Sequence, residues 1–171
     1  ETGRGGSETC GRMLKRCSIE LGGKNAIVVL DAAEVELAVD GSVGGAFGTA
    51  VQRCTASSRL IVEHAALDQF TSRLVERASQ LRLGDGLNEQ NDVGPVINET
   101  QLRRINSYTE IGKDEGDSLL LGGEIERDGD LAGGWFDRPT GIGDVKKTMR
   151  MAQDGTCSPT TGNTQEGKDR D

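Results

Sequence analysis

The sequence predicts an α/β fold in which helices flank a largely parallel sheet. Short runs of β-branched and aliphatic residues alternate along the chain with segments whose apolar residues recur every third or fourth position, as strands and amphipathic helices require. Glycine supplies 25 of the 171 residues and clusters between these segments, where turns are expected. Strands that alternate with helices usually pair in parallel, and a chain of this length fits one domain, or one domain with a piece of another.

The first predicted strand and helix lie in the first third of the chain. Residues 25–31, NAIVVLD, have the β-branched composition of a buried strand. Residues 33–47 follow, and their apolar side chains return at every fourth position, which predicts one buried helix face. That face consists of Val35, Val39, Val43 and Phe47.

The centre of the chain contains a second strand and the most regular amphipathic pattern. Residues 58–64, SRLIVEH, have the composition of a strand. Residues 66–83 predict a helix that Gly84 and Gly86 bring to an end. The apolar side chains of this helix are Leu67, Phe70, Leu74, Ala78 and Leu81.

A third helix and a third strand are predicted before the chain becomes polar. Residues 98–116 predict a helix whose first turn is capped by Asn98, and residues 117–123 predict the strand. Residues 153–171 contain no Leu, Ile, Val, Met or aromatic residue. Such a segment has little apolar surface to bury, so we expect a disordered tail.

Charge and hydropathy exclude two classes of partner. The chain has 28 acidic and 20 basic residues, and its net charge of -8 repels nucleic acid and anionic membrane surfaces. The longest strongly apolar stretch, residues 26–30, is far shorter than the span of about twenty residues that a bilayer requires. We therefore expect neither a nucleic-acid partner nor a membrane partner.

The four cysteines are spread along the chain. Cys10, Cys17, Cys54 and Cys157 do not form the paired C-x-x-C spacing of structural zinc sites, and His64 is the only histidine. The sequence thus predicts no metal site. A cytoplasmic chain with reduced thiols is the simplest account of this spacing.

Cys54 has an unusual setting, which leaves two interpretations open. It follows Arg53 and precedes a run of small hydroxyl residues, TASS, just before the second predicted strand. A cysteine in such a place can be a nucleophile. For an isolated cysteine, the usual alternative is a small buried thiol with no chemical task, because free cysteine packs as a minor hydrophobe.

Two motifs taken together point to a family. Glu20 lies in ELGGKN, and Cys54 lies in QRCTA downstream of it. In this order and at this spacing, the two motifs resemble the glutamate and cysteine motifs of the aldehyde dehydrogenase superfamily. The segments LDAAEVELAV, DVGPVINETQL, LLLGGE and MRMAQD also look like family segments in family order, so the similarity extends from about residue 3 to residue 154.

The resemblance implies a chemistry. It implies NAD(P)-dependent oxidation of a small-molecule aldehyde to a carboxylic acid through a thioester on the cysteine. By similarity, Cys54 is the nucleophile and Glu20 is the general base. The backbone N–H of Cys54 would donate one hydrogen bond to the oxyanion. The resemblance also implies that full-length relatives are homo-oligomers.

The resemblance further implies residues that bind NAD or NADP. The segment GSETCG, with Gly6, Ser7 and Gly11, is similar to the glycine-containing turn that opens a helix beneath the dinucleotide phosphates, although a simple tight turn is an alternative. Leu21 would contact nicotinamide through its backbone. Gln101 matches a position near the adenosine half of the cofactor, or is an exposed helix residue.

The resemblance also predicts a division of the chain. Residues 1–22 correspond to a remnant of a Rossmann-like cofactor-binding domain, and residues 23–152 correspond to part of the catalytic, cysteine-bearing domain. Residues 153–171 form the tail. The expected fold is thus the α/β catalytic domain of an aldehyde dehydrogenase, preceded by this remnant.

The sequence departs from the family at several positions. Val51 stands where the family usually has glycine, and a β-branched residue does not easily adopt the backbone angles open to glycine. Thr49 stands where many members have asparagine. Residues 155–159, GTCSP, lack the glutamate and phenylalanine that clamp the nicotinamide ribose in the family. This abrupt loss of similarity indicates a truncated or frameshifted reading.

Two classes of function follow from these departures. The first is an aldehyde dehydrogenase fragment that holds the nucleophile and the base but has little or no turnover as an isolated chain. The second is a non-catalytic remnant or interaction module derived from an aldehyde dehydrogenase.

Overall fold

A computed structural model describes residues 2–154 and the backbone of residues 160–166. Within these residues, helices and strands alternate along most of the chain, as the sequence predicts. The helices are α1 (Thr2–Arg12), α2 (Val35–Ala46), α3 (His64–Ser79), α4 (Glu99–Glu115) and α5 (Arg150–Gln153). The strands are β1 (Asn25–Val29), β2 (Ser57–Glu63), β3 (Ser118–Leu121), β4 (Ile125–Glu126), β5 (Phe136–Asp137), β6 (Thr140–Gly143) and β7 (Thr160–Glu166).

The central sheet has the strand order β1-β2-β7-β6-β3. The pairs β1–β2, β2–β7 and β7–β6 are parallel, and β3 joins the edge antiparallel to β6. The predicted largely parallel sheet is therefore confirmed. Asn25 at the start of β1 lies opposite Ser57 at the start of β2. Because the two strands are parallel, the segments that lead into them reach the sheet at the same edge.

The main core lies between the β1 and β2 part of the sheet and the helix pair α2 and α3. Leu60, Val62 and Phe70 are fully buried there. Burial of each such side chain stabilises the fold by about 1.5 to 3 kcal/mol. The predicted face of α2 is confirmed, with Val39 buried, two valines packed against the core and Phe47 buried just beyond the helix end.

Helix α3 ends earlier than predicted. Its apolar face is buried as expected, but the helix stops at Ser79 and does not continue to residue 83. The side chain of Asp92 accepts the backbone N–H of Arg82 at 2.8 Å, and the Arg82 carbonyl accepts the N–H groups of Asp92 and Val93. These contacts with the loop that follows ten residues later replace the next helical hydrogen bonds. The predicted helix end was therefore wrong by four residues.

Helix α4 begins and ends where its capping residues predict. The Asn98 side chain accepts the backbone N–H of Gln101 at 2.9 Å, which satisfies one of the free amides of the first turn. Gly116 follows the helix with a φ of 90°, a left-handed conformation that glycine adopts without a side-chain clash.

The beginning of the chain differs from the prediction. Gly6, Ser7 and Gly11 lie inside α1, which starts at Thr2, and no turn separates them from the helix. The predicted helix-opening turn at GSETCG was therefore wrong. The reason is that glycine permits a turn but does not require one, since it also adopts helical angles at a modest entropic cost. No residue of α1 is buried.

The end of the chain also differs from the prediction. Thr160–Glu166 form β7, which pairs with β2 on one side and β6 on the other, so disorder was the wrong prediction for these seven residues. Composition measures the apolar surface of a segment, whereas a central strand is also held by backbone hydrogen bonds to two neighbours. The predicted tail residues 155–159 and 167–171 lie outside the described residues.

In the described part of the chain, no helix combines the length and apolar character needed to cross a bilayer.

Candidate active site

Cys54 lies in a turn that leads directly into β2. The backbone N–H of Ala56 donates to the Arg53 carbonyl at 3.2 Å and closes this turn. The Cys54 residue itself is exposed, so the interpretation of a small buried thiol is wrong. Within the described residues, the Cys54 N–H makes no hydrogen bond.

Three consecutive residues shortly before this turn have left-handed backbone angles. Thr49, Ala50 and Val51 have φ values of 57°, 49° and 56°. Each residue other than glycine in this conformation destabilises the fold by about 1 to 2 kcal/mol, because its Cβ crowds the following carbonyl oxygen. Val51 thus adopts glycine-like angles in spite of its branched side chain. Burial of Ala50 and Val51, each 3% exposed, helps to hold the strained segment in place.

Three side chains fix the backbone around Cys54. The Asn25 amide donates to the Cys54 carbonyl at 2.7 Å and to the Ala56 carbonyl at 3.2 Å. The Gln52 side chain accepts the Ile97 N–H at 2.9 Å. Arg53 donates to the carbonyl of Gly44, on α2, at 3.2 Å. The cysteine turn is therefore tied to β1, to the loop before α4 and to α2.

Glu20 lies in an exposed segment without regular secondary structure that leads into β1. The side chains of its neighbours, Ile19 and Leu21, approach Gly3 of α1: a Cβ on Gly3 would lie 3.1 Å from Leu21 and 3.3 Å from Ile19. Glu20 and Cys54 thus precede neighbouring parallel strands at one edge of the sheet. Asn25, the last residue of ELGGKN, joins the two segments; no hydrogen bond between the Glu20 and Cys54 side chains occurs among the described residues.

Sequence reasoning missed Lys24 and Asn25, which both belong to the glutamate motif. Burial and the neighbouring Arg59 guanidinium lower the pKa of Lys24 to about 8, against the opposing effect of Asp154. Arg59 also donates to the Lys24 carbonyl. The sequence did contain a signal for them: two polar residues, Lys24 and Asn25, follow two glycines at the start of a predicted strand.

The predicted cofactor residues do not form a complete dinucleotide site. The N–H groups of Gly6, Ser7 and Gly11 belong to the interior of α1, where helical hydrogen bonds use them. The N–H of Gln101 is taken by the Asn98 cap. These residues therefore do not offer the free amides that a pyrophosphate at a helix N-terminus needs. Leu21 is exposed and lies against α1.

A cavity of about 510 Å³ lies between the end of α3 and the segment that contains β4. Its lining includes Ala78, Leu121, Glu124, Leu131 and Arg138, and neither Cys54 nor Glu20 lines it. The described part of the chain therefore presents Cys54 on an open surface, outside this cavity.

Comparison with known proteins identifies the family. Residues 1–161 match the aldehyde dehydrogenase family. The chain belongs to this family. The resemblance carried by the glutamate and cysteine motifs is thereby confirmed.

Curated aldehyde dehydrogenases from bacteria are similar to this family member over most of its length. Betaine aldehyde dehydrogenase of Bacillus subtilis (strain 168) is 37% identical over 159 residues, which cover 93% of this chain and 32% of that protein. The 1-pyrroline-5-carboxylate dehydrogenase of Geobacillus kaustophilus (strain HTA426) is 43% identical over 146 residues, which cover 85% of this chain and 27% of that protein. The chain thus spans about a third of the length of the curated relatives it matches.

Solved aldehyde dehydrogenase structures share the fold. Betaine aldehyde dehydrogenase of Staphylococcus aureus, solved in complex with NAD+, superposes with a TM-score of 0.91 at 32% identity and covers 98% of this chain and 33% of its own. The predicted α/β fold of the aldehyde dehydrogenase type is therefore confirmed.

Proposed function

We propose that a protein carrying this segment oxidises a small-molecule aldehyde with NAD or NADP as electron acceptor, and that Cys54 is its nucleophile. The observation that carries the proposal is the arrangement of the two motifs. They precede neighbouring parallel strands whose starts lie opposite each other, and Asn25 of the glutamate motif donates to the Cys54 carbonyl at 2.7 Å.

The first step assigned to this chain is addition of the Cys54 thiolate to the aldehyde. A carbon–sulfur bond forms, and the π electron pair of the carbonyl moves to oxygen. The Cys54 N–H, which has no acceptor among the described residues, donates to this oxyanion. One such donor contributes on the order of 3 kcal/mol to the transition state.

Glu20 is the proposed base. Its carboxylate accepts the proton of the Cys54 thiol before addition and releases it to solvent, so that it is ionised again for the later step. After oxidation of the adduct to a thioester, it accepts a proton from the water that attacks the acyl carbon. The carbon–sulfur bond then breaks, the thiolate leaves and the carboxylic acid is released.

The oxidation step is not assigned to residues of this chain, because Gly6, Ser7 and Gly11 lack free amides for a dinucleotide. NAD is proposed as the acceptor because the similar Staphylococcus aureus structure was solved with NAD+. Leu21 and Gln101 remain proposed contacts of the cofactor. We accordingly expect little or no NADH formation from the isolated chain.

A second candidate function is an interaction module without turnover. Several large apolar side chains in the chain's first third are exposed, which favours contact with another polypeptide. They include Met13, Leu14, Leu21, Val28, Leu30 and Leu37.

Competition between an aldehyde and an alkylating reagent tests the role of Cys54 without cofactor. Trypsin separates the described cysteines into the peptides 5–12, 17–24 and 54–59, so mass spectrometry measures the alkylation of each. We expect iodoacetamide to label Cys54 faster than Cys10 or Cys17, and propanal to slow only Cys54. Equal labelling rates, or equal slowing by propanal, would favour the interaction module.

A further inference from the structure

The backbone on both sides of the Cys54 Cα is fixed by hydrogen bonds. On the amino side, the Arg53 carbonyl accepts the Ala56 N–H at 3.2 Å. On the carboxyl side, the Cys54 carbonyl accepts the Asn25 amide at 2.7 Å. Two peptide planes meet at each Cα, and their orientations determine where the side chain and the N–H point. The first bond is local to the turn, whereas the second comes from β1.

Asn25 is placed for this task by the sheet. It lies opposite Ser57 in the register of β1 and β2, and a register shift follows it before Ala26 pairs with Arg59. The side chain reaches across to two carbonyls, because its amide nitrogen also donates to Ala56 at 3.2 Å. Both N–H groups of the amide are thereby used on the cysteine turn. A carboxylate of the same shape offers no donor to either carbonyl when ionised.

We propose that Asn25 is a positioning residue for Cys54: by fixing the peptide plane after Cys54 it restricts rotation about the cysteine Cα, so that the N–H, held in the preceding plane, and the thiolate stay directed at the same carbonyl group. The inference rests on the proposed role of Cys54 as nucleophile. Asn25 does not touch the reacting atoms in this proposal; it acts through the peptide plane that follows Cys54.

Two reactions of the same thiol separate positioning from accessibility. With p-nitrophenyl acetate, the Cys54 thiolate attacks the ester carbonyl, an oxyanion forms, the carbon–sulfur bond is made and p-nitrophenolate leaves. With iodoacetamide, the thiolate displaces iodide in one step without an oxyanion. A change in exposure or in thiolate fraction alters both rates in the same proportion, whereas a misplaced N–H slows only the acetyl transfer.

The experiment measures both rates for Cys54 in the 171-residue chain by mass spectrometry of peptide 54–59. We expect Asn25→Asp and the uncharged Asn25→Ala each to lower the ratio of acetylation to alkylation by about tenfold, a part of the hundredfold or larger loss that follows removal of a whole oxyanion donor. Asn106→Asp on α4 introduces the same chemical change elsewhere and should leave the ratio as in the wild type.

The outcomes distinguish this inference from the proposed function. If the wild-type chain acetylates Cys54 no faster than Cys17, the role of Cys54 as nucleophile fails. If the wild type acetylates Cys54 selectively and both Asn25 variants keep its ratio, only the positioning role of Asn25 is overturned. An unfolded chain would also lose the oriented N–H, so circular dichroism is recorded for each variant; a ratio that falls no further in the folded Asn25 variants than in Asn106→Asp overturns the positioning role.

Discussion

The side chain of Gln52 accepts the backbone N–H of Ile97 at 2.9 Å, across 45 residues of chain. Its amide nitrogen donates to the Pro95 carbonyl at 3.4 Å. Val96, between these two residues, is buried, and its N–H donates to Trp135 at 2.8 Å. Gln52 therefore joins the cysteine turn to a loop that is itself anchored in the fold.

Two replacements of Gln52 should show how much each of its two hydrogen bonds contributes to stability. We expect Gln52→Ala to lower the free energy of unfolding by about 1 kcal/mol, because both bonds are lost and water can reach the exposed groups. Gln52→Glu keeps the acceptor for the Ile97 N–H, so its free energy of unfolding should fall by less. Urea unfolding measures both values, with Gln80→Ala at the exposed end of α3 as a control. A loss at Gln80 as large as that at Gln52 would contradict this account.

Relief of backbone strain should stabilise the cysteine turn. Thr49 is exposed and has a φ of 57°, so its side chain gains nothing from burial to offset the strain. We expect Thr49→Asn to raise the free energy of unfolding by roughly 0.5 to 1 kcal/mol, because asparagine tolerates this conformation better than threonine. Thermal unfolding gives the measurement. Thr55→Gly, at an exposed neighbour without a positive φ, should destabilise the chain instead.

Elements with a strong local signal were predicted well from the sequence. The face of α3 follows from the spacing of Leu67, Phe70 and Leu74, and α4 follows from its Asn98 cap and its glycine end. The end of α3 and the strand β7 were not predicted, because each depends on a partner outside its own segment: Asp92 for the end of α3, and β2 and β6 for β7. Local composition contains no information about such partners.

In the candidate site, too, features with a local sequence signal were predicted and features that depend on partners elsewhere in the chain were not. Glu20 and Cys54 could be proposed because their motifs occur together. Asn25 could not, although it belongs to the same motif as Glu20, since its bond to Cys54 spans 29 residues and depends on how β1 aligns with β2. The helical state of Gly6 was missed because two glycines in a short polar segment are compatible with both a turn and a helix.

The thiol of Cys17 should react slowly while Cys10 is its neighbour. A hydrogen bond with the Cys10 side chain, followed by burial and charge, raises the pKa of Cys17 above its ordinary value. The reactive form is the thiolate, so a higher pKa means a smaller reactive fraction at pH 8. We expect Cys10→Ala to accelerate alkylation of Cys17, measured on peptide 17–24, and to leave Cys54 unaffected. An unchanged Cys17 rate would show that the two thiols do not interact.

Asp137 should make the stability of the fold depend on pH. The residue is 5% exposed on β5, one of its carboxylate oxygens has no hydrogen-bond partner in the described part of the chain, and burial raises its pKa from the ordinary 3.8 to about 7. Between these two pKa values the folded chain keeps a proton that the unfolded chain releases. Stability attributable to Asp137 therefore falls as pH rises from about 4 to 7, by up to about 1.4 kcal/mol per pH unit, and is constant above that range.

Asp137→Asn removes this titration and keeps the shape of the side chain. We expect the variant to gain stability relative to the wild type as pH rises from 4 to 7, and the difference to level off at higher pH. Glu36, Asp92 and Glu126, whose pKa values arginine contacts and backbone hydrogen bonds lower, titrate in both proteins and cancel in this difference. Asp130→Asn, an exposed change near β5, serves as the control. A difference for Asp137→Asn that does not vary between pH 4 and 7 would show that Asp137 is ionised in the folded chain, so its carboxylate would need a partner or solvent contact that the structure does not show.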